Sequence, residues 1–278
     1  MKKKKILFIS QEITPYLEEN ELGKIGRHLP QGIQESGKEI RTFMPKFGCI
    51  NERRNQLHEV IRLSGMNLII NENDHPLIIK VGSIQPARMQ VYFIDSEDFF
   101  QRKAVFHDKE TGTFFEDNDE RAIFFARGVL ETVKKLGWVP DVIHCHGWMT
   151  SLVPLYIKTS YSKDPIFENS KVIFSLYDNE FENPLNSDFA DKAMMDGIQK
   201  EDIKDYKKTS FVDLNIAAMN AADGVIKTSK KIHPSLQAYY DKVDKPKFEC
   251  EGDEDDFQVE AHAAFYDEIL ESVEVLQN

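Results

Sequence analysis

Two histidines, His144 and His146, stand in the run Pro140-Asp141-Val142-Ile143-His144-Cys145-His146-Gly147-Trp148-Met149-Thr150. The apolar opening of this run reads as a strand, and its polar end leads into a helix containing Val153, Pro154, Leu155 and Tyr156. Residues two apart on a strand share a face, so both imidazoles point the same way at its carboxyl end. A metal site needs a third ligand at regular spacing; none is apparent, and no metal is expected. Two readings stay open: a hydrogen-bonded pair framing a helix start, or a polar substrate contact at the sheet edge.

Other chemistries lack their residues. No Gly-x-Ser-x-Gly elbow, P-loop or Gly-x-Gly-x-x-Gly is present, and no cysteine and histidine are set on such an elbow. Cys49, Cys145 and Cys250 are odd in number and far apart, which points to reduced thiols. The acidic run from Glu249 to Asp256 lacks the alternating ligands and sixth-position glycine of a calcium loop. With a net charge of −12 the chain is a poor match for nucleic-acid phosphates. Lys2 to Lys5 are followed by only four apolar residues, Ile6 to Ile9, too few for a signal peptide, and no stretch suits a membrane span. A cytoplasmic protein with no membrane contact is expected.

The elements that position the histidines follow from the apolar pattern. Short β-branched runs at Ile6–Ile9, Ile40–Met44, Leu77–Val81, Val91–Ile94, Val142–Cys145, Val172–Leu176 and Val225–Ile226 read as strands. Several are apolar throughout, as parallel strands covered on both faces must be. Between them lie helical periods, the clearest at Ala122, Phe125, Ala126, Val129, Leu130, Val133 and Leu136, stopped by Gly137. The alternation predicts an α/β fold, a single doubly wound and mostly parallel Rossmann-like sheet that binds ligands beyond the carboxyl ends of its strands. Between about Asn51 and Asp95 strand signals crowd together with few helical ones, so a hairpin-like insertion is expected there. Residues 242–256 read as an acidic linker. A last helix within 257–278 carries Ala261, Ala264, Phe265, Ile269, Val273 and Leu276 on one stripe.

Four blocks in order resemble glycogen and starch synthases. They are Lys5-Ile6-Leu7-Phe8-Ile9-Ser10-Gln11-Glu12-Ile13-Thr14-Pro15, Leu29-Pro30, Met44-Pro45-Lys46-Phe47-Gly48 and the His-Cys-His-Gly-Trp run. Asp117-Asn118 with Arg121, and Ala222-Asp223 leading to Thr228-Ser229, extend the match over residues 4 to about 230. The resemblance implies one half of a GT-B glycosyltransferase. Enzymes of that family transfer glucose from ADP-glucose to an α-1,4-glucan between two Rossmann-like domains, of which the N-terminal one mainly holds the acceptor. Residues 1–241 correspond to that domain, and the final helix resembles the family's closing helix, which packs back on it. A linker and a helix stand where the second domain is expected, so a truncated form is implied.

Chemical positions depart from the family pattern. Its Lys-Thr-Gly-Gly-Leu donor loop is Glu18-Glu19-Asn20-Glu21-Leu22 here, and three carboxylates in that place would repel a diphosphate. The aspartate of the family's His-x-His-Asp-Trp is Gly147, and its Thr-Ile-His-Asn is Ser175-Leu176-Tyr177-Asp178. By resemblance His146 and Asp117 are the catalytic candidates, and His144, Trp148, Tyr177, Asn118 and Arg121 the substrate-binding ones. Arg121 has the alternative of a helix-surface ion pair. No cofactor is expected. The partners expected are an α-glucan or maltooligosaccharide stacked on Trp148 and Tyr177, ADP-glucose weakly or not at all, and a protein partner or second copy. The resulting expectation is an acceptor-side domain not catalytic alone. Two alternatives stand beside it: an active glucosyltransferase completed by a partner chain, and a protein-interaction module.

Overall fold

A computed structural model describes residues 3–250 and 257–274 of the chain. From β1 (Lys5–Ser10) the backbone returns through α1 (Glu21–Glu35) to the parallel β2 (Glu39–Pro45). It continues as β3 (His58–Glu59), β4 (Met66–Ile70), β5 (Asn73–Ile84) and β6 (Met89–Asp95); β5 runs antiparallel to the other three, and β6 lies parallel to β2. After α2 (Asn118–Leu136) the chain crosses to the far side of β1. There it forms β7 (Val142–His146), α3 (Leu152–Lys158), β8 (Lys171–Leu176), α4 (Phe189–Ala193), α5 (Phe211–Ala221), β9 (Gly224–Lys227), α6 (Pro234–Lys242) and β10 (Lys247–Glu249). Last comes α7 (Val259–Glu274). Among the described residues the strand order is β10-β9-β8-β7-β1-β2-β6-β5-β3, with β4 on β5.

Each strand expected from the apolar runs is present, and the expected insertion is the antiparallel group β3 to β6. The central strands are buried from both sides, which is why their sequences do not alternate. Alternate residues nevertheless feed different layers. Leu7, Ile9, Ile143, Cys145, Val172 and Phe174 belong to the larger core. Ile6, Phe8, Val142, Ile173 and Ile226 face the smaller one with Leu29 and Ile33 of α1. His144 pairs in register with Phe8, so it stands on the smaller-core side.

The smaller core is closed by α7. His262, Phe265, Tyr266 and Ile269 face inward, whereas Ala264 is exposed and Ala261 half-buried, so the buried stripe differs from the one the apolar residues suggested. The side chains of Val273 and Leu276 lie outside the described residues. Burial of Phe265, Tyr266 and Ile269 is worth roughly 1.5–3 kcal/mol each, enough to hold the helix against the sheet. Close approach needs a glycine at the strand: a Cβ on Gly224 would stand 2.1 Å from Ile269 Cδ1. The stretch expected as a linker is partly ordered, since Lys247, Phe248 and Glu249 pair with Val225, Ile226 and Lys227. Residues 251–256 of the acidic run lie outside the described residues. Gly137 ends α2 with φ +60°, the left-handed value glycine tolerates. Among the described residues no helix is long and apolar enough to cross a membrane.

Candidate functional site

The sheet's switch point lies at β1, because the chain goes out to β2 and β6 on one side and to β7, β8, β9 and β10 on the other. In such sheets the crevice beyond the two diverging strands is where ligands bind. Here that crevice is filled. Gln11, after β1, is buried, donates its backbone N–H to His146 O at 3.0 Å, and accepts from Met149 N–H at 3.3 Å through Oε1. Gly147 sits against it with φ +87° and ψ 159°. A Cβ there would come within 2.8 Å of Gln11 Oε1 and 2.9 Å of Leu22 Cδ1. Only glycine suits both the backbone and the space, which is a physical reason for the missing aspartate.

His144 and His146 do share a face, with ring centroids 3.9 Å apart. His144 bonds Tyr266 through Nδ1 at 2.7 Å and Ser175 through Nε2 at 2.8 Å. His146 Nδ1 bonds the Tyr177 hydroxyl at 2.7 Å, while its Nε2 has no partner among the described residues. Burial drives both rings neutral, His144 well below the usual range and His146 down to about 3. His262 of α7 is pushed to about 4 for the same reason. Two imidazoles stacked in a dry layer cannot both be charged, so the pair is a neutral hydrogen-bonded unit. Among the described residues no cluster of histidine, cysteine or carboxylate could hold a metal.

The aromatic and basic candidates are elsewhere than a binding surface needs. Trp148 and Tyr177 are each 2 % exposed, so neither offers a face to a sugar. Trp148 is instead the floor of an aromatic stack, 5.0 Å from Phe181 and 6.3 Å from Phe114. Arg121 is fully buried and makes no surface ion pair among the described residues. Its Nε donates to Phe99 O at 3.0 Å, and its Nη1 to Val105 O at 2.7 Å and to Asn118 Oδ1 at 2.6 Å. Burial lowers its pKa to about 10. Asn118 also donates to Phe106 O at 3.0 Å, so both residues hold the loop before α2 in shape. Asp117 is partly exposed and accepts from Arg102.

Two concavities open along the carboxyl edge. The larger, about 540 Å³, lies beyond β8, β9 and β10 and takes in Glu19, Asn20 and Glu21. Asn20 caps α1, accepting from Gly23 N–H at 2.7 Å, and Glu21 accepts from the Ser229 hydroxyl. Leu22 is buried and Glu18 exposed. The cleft is not uniformly acidic, because Lys24, Lys230 and Lys231 also line it, with Lys24 3.1 Å from Glu19. This tempers the repulsion expected from the loop's carboxylates alone.

The second, about 430 Å³, lies between the loops following β6 and β8. Phe114 and Phe115 line it together with Thr111, Glu116, Asn183 and Asn186. Asn186 Nδ2 donates to Glu116 O at 2.9 Å and ties the two loops together. Phe114 is half-buried and stacks on Phe181 at 5.3 Å, one layer above Trp148. None of these groove residues, nor Lys230 and Lys231, stood out in the sequence, and Gln11 did so only as part of a family block. Their signal is only an irregular polar stretch with a Phe-Phe pair after a strand.

A doubly wound sheet with its open clefts at the carboxyl edge and a closing helix strapped across one face defines one half of a GT-B type glycosyltransferase fold. The chain belongs to the starch synthase catalytic domain family, whose model matches residues 5–254. The glycogen synthase of Pelodictyon phaeoclathratiforme is 33% identical over 242 residues, 84% of this chain and 48% of the relative. That of Chlorobium luteolum is 39% identical over 173 residues, 62% of this chain and 35% of the relative. The chain thus spans half or less of the length of these relatives. The catalytic domain of Starch Synthase IV from Arabidopsis thaliana, bound to ADP and acarbose, matches with a TM-score of 0.71 at 18% identity, covering 92% of this chain and 52% of that one. At that identity the likeness is one of fold.

Proposed function

We propose that this domain holds an α-glucan on its carboxyl edge and does not by itself transfer glucose from ADP-glucose. The groove between the loops after β6 and β8 carries the reading. It sets two aromatic rings beside amide, hydroxyl and carboxylate groups, the combination that recognises a sugar's apolar face and its hydroxyls together. The similar Starch Synthase IV domain is bound to acarbose as well as ADP. In this reading Trp148 supports the groove from below through Phe114 and Phe181, Asn118 and Arg121 hold the loop that carries Phe114 and Phe115, and His144, His146 and Tyr177 form a separate buried cluster under α7.

Calorimetry with maltooligosaccharides tests it. Binding is expected with a Kd of about 1 mM, that is about −4 kcal/mol. Phe114→Ala, which removes one stacking face, is expected to weaken it roughly tenfold. Absence of heat at sugar concentrations well above that Kd would remove the glucan from the proposal.

Lys24, Lys230 and Lys231 in the larger cleft favour a second reading, in which a phosphorylated donor binds there and transfer occurs once another domain closes over it. The α1 N-terminus weighs against it. Asn20 Oδ1 already takes the Gly23 N–H of the first turn, and Glu21 puts a carboxylate in that turn, where an incoming diphosphate would need free amides and no negative charge. The purified chain is therefore expected to make no glucan from ADP-glucose. The triple variant Glu18→Lys, Asn20→Gly, Glu21→Gly is expected to stay inactive too, since contacts in an open, wet cleft are weak. Sustained glucose transfer by the unmodified chain, in an assay freed of contaminating synthase, would select the second reading.

A further inference from the structure

On the opposite, amino edge of the sheet a third concavity of about 440 Å³ lies where β2 and β6 begin. Four cationic side chains line it, Lys3, Lys38, Arg41 and Arg88, against a single carboxylate, Glu39. That carboxylate is already engaged, since Glu39 Oε1 accepts from Trp138 Nε1 at 2.5 Å. Arg41 is held rigidly. Its guanidinium lies 5.4 Å from the Tyr92 ring centroid and 5.7 Å from that of Trp138, and Nη1 donates to the Tyr92 hydroxyl. Its Nε is buried and has no acceptor among the described residues. With so little exposure this nitrogen is out of reach of a dissolved ion, and what the pocket offers an anion is its four lining cations. The Asp267 carboxylate lies 3.9 Å from Lys38 Nζ.

We infer that this amino-edge pocket binds a small anion carrying two or more phosphoryl charges. The chain as a whole carries −12, but screening limits an ion in the pocket to charges within about 8 Å. Among the lining residues four cations face one carboxylate, and Asp267 adds a second near Lys38. The volume falls in the range of about 300–1,000 Å³ typical of small-molecule sites. Arginine forks are the groups best matched to phosphoryl oxygens, and Arg41 is already fixed by its two rings. Lying on the other edge of the sheet, the pocket is independent of the clefts at the carboxyl edge and of what they hold.

Isothermal titration with inorganic pyrophosphate tests the inference. The intact chain is expected to bind it saturably, with an affinity that falls as salt rises. Arg88→Gln and Lys38→Gln are each expected to weaken it about tenfold, because a charged hydrogen bond is worth about 1.5 kcal/mol or more. Near-ultraviolet circular dichroism of each variant confirms that the fold is retained. Lys230→Gln, in the carboxyl-edge cleft, is expected to leave pyrophosphate binding unchanged. No saturable binding, binding untouched by the Arg88 and Lys38 changes together, or binding lost in Lys230→Gln would each overturn the assignment.

Discussion

Acidification from pH 6.5 towards pH 4.5 is expected to unfold this domain, with a loss of up to about 4 kcal/mol per pH unit from three histidines together. His144, His146 and His262 all have folded pKa values depressed by burial, His146 to about 3 and His262 to about 4. The native state keeps the rings neutral while the unfolded chain takes up protons near the ordinary imidazole value of 6.5. Stability is therefore fully present above pH 6.5 and falls steadily below it, each histidine contributing about 1.4 kcal/mol per unit until its folded pKa is reached. Two units of such loss rival the roughly 5–15 kcal/mol a domain has in total. Asp119, whose carboxyl is pushed up by burial, has the opposite sign and offsets at most one proton. Urea unfolding at stepped pH values measures the slope. His262→Gln, whose amide can still donate to Gln258 O, should reduce it by one proton. A flat profile across this window would mean that the histidines are already exposed to water.

Replacing Arg127 with Met is expected to destabilise the domain by about 3–5 kcal/mol. This side chain is 6 % exposed and lies inside α2, yet it serves three separate segments. Nη1 donates to Ile69 O of β4 at 2.7 Å, Nη2 to Ala193 O at 3.0 Å and Met194 O at 2.8 Å, and Nε to the Tyr156 hydroxyl at 3.3 Å. Without it Ile69 O and Met194 O lose this donor, Ala193 O is left with the Tyr156 hydroxyl alone, and the hairpin insertion loses its tie to the segment after α4. Lysine keeps the charge but has one nitrogen, which cannot reach carbonyls on both sides, so Arg127→Lys should recover little. Denaturant unfolding of the variants checks both. A midpoint shift worth less than about 1 kcal/mol would mean that water replaces the guanidinium without difficulty.

What was legible in the sequence is what local spacing controls. Strands covered on both faces must be apolar throughout, so Ile6–Ile9 and Val172–Leu176 declared themselves, and Gly137 marked a helix end because no other residue takes its backbone so readily. Two-residue spacing placed His144 and His146 on one face, and four ordered blocks carried the family. Spacing along one strand, however, says which way a side chain points and nothing about what stands opposite.

Tyr266, 122 residues further on, reaches His144 and seals that face. Phe181 and Phe114 close over Trp148, so the aromatic residue nearest the motif became the floor of a groove whose lining comes from elsewhere. Arg121 read equally well as a substrate ligand or a surface ion pair and is neither, because the loop carbonyls it binds come together only after folding. The amino-edge pocket likewise assembles Lys3, Lys38, Arg41 and Arg88 from three stretches of chain with no shared pattern. By itself the sequence determined the sheet, its windings and its kinship. The tertiary structure decided which polar groups stay dry and which meet water, since burial is set by distant segments that no local period encodes.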